Sequence, residues 1–125
     1  SDMFRAAGKY THAHWDGSIG SLLRYAKSTG CDGIEALTPI PQGDVTLEEI
    51  KEGLGDLVLL DGIPMTSFLP HEPLEELIET THRTIDMFAP NLILGVSDEP
   101  SPVCDIERVR LVAEIVAERD PTRRA

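Results

Sequence analysis

Positive charge is scarce in this sequence: 11 Lys and Arg stand against 22 Asp and Glu, a formal net charge of −11. Nucleic acids and anionic membrane surfaces both require a basic patch that displaces counterions, so neither is expected as a partner. Acidity of this kind reports solubility instead. Cysteine is scarce too. Cys31 and Cys104 lie far apart with no paired spacing, so they form neither a zinc ribbon nor a redox couple and read as small core or loop residues. No apolar run approaches the roughly 20 residues of a membrane span. The opening SDMFRAAGK also lacks the apolar stretch of a secretory signal, which leaves a cytoplasmic protein as the expectation. G-x-G-x-x-G, a phosphate-cradling P-loop and a G-x-S-x-G elbow are all missing, and with them the common nucleotide and serine-hydrolase readings.

What is present fits a globular chain. At 125 residues, 41% hydrophobic and 26% charged, it reads as one domain over residues 1–125, long enough to bury about two-thirds of its unfolded surface. Short apolar runs alternate with helical patterns, the signature of βα units and a parallel sheet. KYTHAHW, CDGIEAL, DLVLLDG and NLILGVS read as the four strands. The last two are continuously apolar, as expected of central strands covered on both faces.

The helices carry their own punctuation. Thr46 with Glu49 three residues on forms a capping box. Pro73 suits a first helical turn, followed by Leu74, Leu77, Ile78, Thr81 and Ile85 at helical spacing. Asp105 can cap a last helix with Ile106, Val109, Val112, Ile115 and Val116 as its apolar face. MFRAAGK reads as the end of a helix terminated by Gly8, and PTRRA as a frayed tail.

Four βα units are half of the eight that close a TIM-type barrel of ~250 residues. A bare four-stranded parallel sheet leaves two unpaired edges and a poorly covered face. The expected fold is therefore α/β, half of a TIM-type barrel, completed by homodimerisation. A small monomeric doubly wound sheet with helices on both faces is the alternative.

Alternation along the first strand puts His12, His14 and Asp16 on one side and Thr11, Ala13 and Trp15 on the other. If that side is the barrel interior, His14 and Asp16 stand at the C-terminal mouth, where barrel sites lie. Imidazole and carboxylate supply nitrogen and oxygen ligands for Zn²⁺ or another divalent transition metal such as Fe or Mn. The plainer alternative has one histidine hydrogen-bonded inside the barrel and Asp16 capping a helix that starts near Ser18; His12, one pleat deeper, reads as structural. Glu35, Asp61, Ser97, Asp98 and Glu99 end the other strands, and parallel strands collect those ends on one side. Asp61 with Gly62 also reads as a tight turn, and Asp98 and Glu99 as a solvated loop. LTPIPQGD reads as a rigid loop on the active face, fixed by Asp44 through its own turn hydrogen bonds. His71 and His82 read as surface residues.

The ordered set AAGKYTHAHWDGSIGSLL, GCDGIEALTPIPQGDVTLEEIKEGLGD, LLDGIP, ILGVSDEP and DIERV resembles the C-terminal half of the uroporphyrinogen decarboxylase superfamily, which includes the cobalamin (corrinoid) methyltransferases. The likeness runs from about Arg5 to Glu118. It implies a (βα)8 barrel with its cleft at the C-terminal face and either a decarboxylase-type lyase or a methyltransferase. In the zinc methyltransferase branch the matching strand carries histidine, one residue, cysteine and glycine. Laid on HWDG, these positions are His14 and Asp16, and Val96 occupies or adjoins the place of the remaining cysteine ligand. The resemblance thus implies a metal held by His14 with Asp16 and Asp98 as oxygen ligands, a small-molecule substrate and a corrinoid, while the convergence of strand ends offers Asp16, Glu35 and Asp61 as catalytic candidates. Val96 also stands where the decarboxylase branch has a substrate-contacting histidine, so metal-assisted methyl transfer from a small methylated donor is the first expectation. The second treats HAH as paired metal histidines of an amidohydrolase-type barrel with Asp98 as the final carboxylate, where a metal would lower the pKa of bound water. The third is a non-catalytic or truncated half-barrel that dimerises or needs a separate N-terminal partner.

Overall fold

Strand pairing follows chain order. In the computed structural model, which describes residues 1–119, β1 (His12–His14), β2 (Gly33–Glu35), β3 (Val58–Pro64) and β4 (Leu92–Ser97) form one all-parallel sheet in the order β1-β2-β3-β4. Around them lie α1 (Asp2–Ala6), α2 (Leu47–Leu54), α3 (Leu74–Phe88) and α4 (Ile106–Arg119), with 3-10 segments at Leu23–Ser28 and Met65–Phe68. The PTRRA tail lies outside the described residues. No helix among those residues is long and apolar enough to cross a membrane.

The four strands fall where the apolar runs place them, although the first two pair over only three residues each. A sheet that never reverses its strand order is singly wound, so the doubly wound alternative does not apply. Burial confirms this. Ala13, Ile34, Leu59 and Leu92 pack into one cluster with Leu23, Ile50, Leu54 and Phe88 from the flanking segments. Ile63, Leu94 and Val96 pack with Phe68, Leu77 and Val112. The alternate residues of the same strands, His12, His14, Val58, Leu60 and Ile93, belong to neither cluster. Each large aliphatic side chain buried on the helix side contributes ~1.5–3 kcal/mol; the opposite face contributes little of this. That open face holds an apolar hollow of about 260 Å³ lined by Tyr10, His12, Gly33, Val58, Leu60 and Ile93, among others. Such a sheet, α/β and all-parallel with helices on one side, is compatible with half of a barrel.

Several expectations need correction. β4 is an edge strand, not a central one, and its Ile93 is 62% exposed. A continuously apolar run does not fix a strand's place in the sheet: Leu92, Leu94 and Val96 pack on the helix side while Ile93 stays exposed. No α-helix starts near Ser18. Ile19, Leu23 and Ala26 are buried at near-helical spacing, but the segment between β1 and β2 closes in 3-10 turns. The backbone amides of Ile19 and Gly20 donate to Asp44, at 2.8 and 3.2 Å to Oδ1, so Asp44 ties its loop to this segment instead of bonding within its own turn. Asp16 therefore does not cap that segment's first amides. In α4 the buried residues are Arg108, Val112 and Ile115, whereas Ile106 is 62% exposed. Arg108 donates to the carbonyls of Ser67, Pro70 and Glu72 at 2.9, 3.3 and 2.7 Å. A guanidinium so satisfied can be buried in place of an aliphatic side chain.

Local signals hold elsewhere. Thr46 and Glu49 form both bonds of the capping box. Asp105 accepts from Glu107 N at 2.9 Å at the start of α4. Pro73 stands at the N-cap of α3 rather than inside its first turn, and Gly8 has φ +69°, the left-handed conformation that ends α1. Cys31 and Cys104 are free thiols.

Candidate metal centre

Parallel neighbours in register share a level and a face. His14 pairs with Glu35, and because Gly33 aligns with Val58 and Ile34 with Leu59, Glu35 stands level with Leu60, which in turn pairs with Ile93. All point to the open face. One oxygen, Glu35 Oε2, lies 3.0 Å from His12 Nε2 and 3.4 Å from His14 Nδ1. His14 Nε2, on the other side of the ring, lies 4.0 Å from both Asp16 Oδ2 and Asp98 Oδ1.

The last contact spans the sheet. His14 is on β1 and Asp98 follows β4, the two opposite edges. Three intervals of ~4.8 Å would hold those strands ~14 Å apart in a flat sheet. A long imidazole and a carboxylate leaning toward each other over the open face span most of that separation and meet at 4.0 Å.

His14, Asp16 and Asp98 form a group that could hold a metal ion, with one ligand atom from each lying within 4.8 Å of the others. Ligand atoms around tetrahedral zinc at 2.0–2.2 Å stand about 3.3–3.6 Å apart. The cluster is thus open by roughly 0.4 to 1.5 Å. The three side chains are 39–62% exposed and free to close that gap by rotation. One imidazole nitrogen and two carboxylates suit zinc, iron or manganese, and no thiolate is among them. His12 is not in the group, because its Nε2 is turned to Glu35.

Asp61 joins by a backbone device. Asp61 and Gly62 have φ +79° and +95°, and they lie inside β3 rather than in a tight turn. This left-handed pair breaks the alternation and brings the carboxylate over Gly95, where a Cβ would meet Asp61 Oδ1 at 2.8 Å. Burial pushes the Asp61 carboxyl above its usual range and the charge of Glu35 adds to that, while the Ala36 amide pulls it down. Ala36 and Asp98 also take left-handed φ, +64° and +63°. Non-glycine residues in this region cost on the order of 1 kcal/mol each; Ala36 and Asp98 directly follow β2 and β4, and Asp61 lies within β3. Ser97 Oγ accepts from Gly62 N at 3.0 Å and lies 3.5 Å from Leu37 O, tying the end of β4 to the middle of β3 and to the segment after β2.

Each of the five residues singled out from sequence thus stands on one rim: His14, Asp16 and Asp98 together, Glu35 against His14, and Asp61 beside Gly95. Glu99 is exposed, as is His71. Three relationships were not signalled by the sequence: the shared oxygen of Glu35, the Asp61–Gly95 approach and the Ser97 tie. The first follows once β1 and β2 are put in register; the other two depend on the left-handed pair in β3.

The structure defines a class, a singly wound parallel α/β sheet with a histidine–carboxylate cluster where its strands end. No family model, no curated protein and no solved structure matches the chain.

Proposed function

We propose that this chain is a uroporphyrinogen decarboxylase-like half-barrel that holds a divalent transition metal, zinc foremost, through His14, Asp16 and Asp98 and uses it in methyl transfer from a small methylated donor. The observation that carries the reading is the approach of His14 Nε2 to carboxylates from both edges of the sheet, at 4.0 Å each. Donors from distant points of the chain converge there, at the end of the sheet where parallel α/β folds place their sites.

A bound divalent cation supplies Lewis-acid charge for the heteroatom that keeps the electron pair when its methyl group departs to an external acceptor, a corrinoid on the family resemblance. The chain's own residues do the rest. Asp61, protonated to higher pH than an exposed aspartate, would return a proton to that heteroatom. Glu35 holds the His14 ring, and the apolar row of Leu60 and Ile93 gives the donor's hydrocarbon part a surface to rest on. The experiment is metal analysis of the purified full chain with zinc, iron and manganese, followed by demethylation assays on methylated thiols and amines with a corrinoid acceptor. About one metal per chain, lost in His14→Ala, supports the reading. Unchanged binding in that variant discards the ligand assignment.

A second reading rests on the open face and two free edges: a half-barrel whose role is to close against a second copy. In a two-fold arrangement the β4 edge of one copy would pair with the β1 edge of the other in the same direction, giving eight parallel strands. It is compatible with the first reading, and the mass of the chain in solution tests it.

A further inference from the structure

We propose that Glu35 is the positioning residue of this centre: it fixes His14 in the tautomer protonated at Nδ1, so that Nε2 is left as the ligating atom. The inference rests on the metal-site reading above and concerns which group orients its only nitrogen ligand.

The argument starts from the ring. A neutral imidazole carries one proton, and either nitrogen can hold it. The two nitrogens of His14 face different surroundings. Nδ1 lies 3.4 Å from Glu35 Oε2, while Nε2 lies 4.0 Å from Asp16 Oδ2 and from Asp98 Oδ1. The register that pairs His14 with Glu35 across β1 and β2 sets this, and Trp15 N donating to Glu35 O at 3.0 Å holds the two strands together just beyond it. Of the carboxylates near the ring, Glu35 is the nearest and the least exposed, at 32% of its side chain against 62% for Asp16 and 39% for Asp98. His12 holds the same Oε2 at 3.0 Å, which keeps Glu35 from swinging round the ring toward Nε2. A carboxylate on the far nitrogen of a metal-binding histidine orients the ring and raises its basicity, and losing one typically costs 10–100-fold in affinity. Glu35 therefore acts through His14 and not as a fourth ligand.

Two readouts test this on the full chain. The first needs no metal. At about pH 8, above the ordinary histidine range of ~6.5, ¹⁵N shifts of the His14 ring report the tautomer. Wild type is expected to show Nδ1–H, and Glu35→Ala a shift of population toward Nε2–H. The second uses cobalt(II) as the probe. Glu35→Ala is expected to bind 10–100-fold more weakly, and the isosteric Glu35→Gln, which keeps an oxygen acceptor and guards against misfolding, within a few-fold of wild type. Both should keep the wild-type d–d spectrum, because the ligand set is unchanged. An Nε2–H tautomer in wild type overturns the proposal, as does undiminished cobalt affinity in Glu35→Ala. A changed spectrum in either variant overturns it as well, by making Glu35 a ligand. Wild type with the Nδ1–H tautomer but no cobalt or zinc binding at any concentration instead sinks the metal-site reading on which the assignment of Nε2 depends, so the two failures are told apart.

Discussion

Gly95 faces the carboxylate of Asp61 so closely that a Cβ on it would lie 2.8 Å from Oδ1. The space is made by a missing side chain on β4 and filled by a residue that a left-handed backbone brings round from β3. Gly95→Ala should therefore displace Asp61 and strain the left-handed Asp61–Gly62 pair. A destabilisation of ~1–3 kcal/mol is expected from overpacking of this kind. The midpoint of urea unfolding measures it, and a midpoint equal to that of wild type would mean that the carboxylate moves aside without cost.

Asp61 also links stability to pH. Burial raises its folded-state pKa, so below the ordinary aspartate value of ~3.9 both states are protonated and nothing is lost. As pH rises from there through the raised value, the unfolded chain ionises first and stability falls by a fixed amount. Asp61→Asn removes that loss and tolerates the positive φ. The variant should be more stable than wild type at neutral pH by a few tenths to about 1 kcal/mol, after allowance for solvent screening. The difference should vanish below pH ~4. Unfolding curves across that range check the sign; a variant less stable at neutral pH would show that the Ala36 amide, not burial, governs the group.

Arg108 gives a test away from the rim. The residue is 7% exposed, and its guanidinium serves three carbonyls of the segment between β3 and α3. Arg108→Met keeps much of the volume but orphans those carbonyls, at an expected ~2–3 kcal/mol. Arg108→Lys should fall between, since an ammonium on a flexible stem cannot reproduce the planar fork. Thermal unfolding of the two variants beside wild type gives the order.

These cases show what the sequence could and could not carry. The Thr46–Glu49 box and the Asp105 cap are legible because both partners lie within three residues, and the alternation of apolar runs with helices is legible because it repeats along the chain. Arg108 escapes because its acceptors lie 36 to 41 residues away, and the apolar pattern of α4 taken alone nominates Ile106 and Val109. The segment after β1 escapes because Asp44, 25 residues on, takes its first amides. At the rim, parallel strands put His14, Asp16 and Asp98 at the same end of the sheet, which is readable; that His14 and Asp98 meet across its two edges is not. That Glu35 serves both His12 and His14 through one oxygen is a matter of register, which single strands of three residues do not announce.

Metal binding should register as stability. An ion that binds only the folded chain at 100 times its Kd adds about 2.7 kcal/mol. Zinc at that excess should raise the unfolding midpoint of wild type, a chelator should reverse it, and His14→Ala and Asp98→Asn should show little or no rise. A rise of equal size in His14→Ala would place the ion elsewhere.

Ile93 tests closure against a second copy. It is 62% exposed on the open face of edge strand β4, level with Leu60 and within the hollow that also takes in Val58 and Tyr10. In a two-fold barrel this row would turn inward and be buried. Each copy also carries a formal charge of −11, so association must overcome repulsion that salt screens over ~10 Å at 0.1 M. Sedimentation should give twice the chain mass of 13.7 kDa, with the dimer favoured as ionic strength rises. Ile93→Lys buries a charge at that row and should give the single-chain mass with an unchanged helical signal. A wild-type chain that stays monomeric from low to high salt would overturn closure against a second copy, and the barrel reading would then require a different second half.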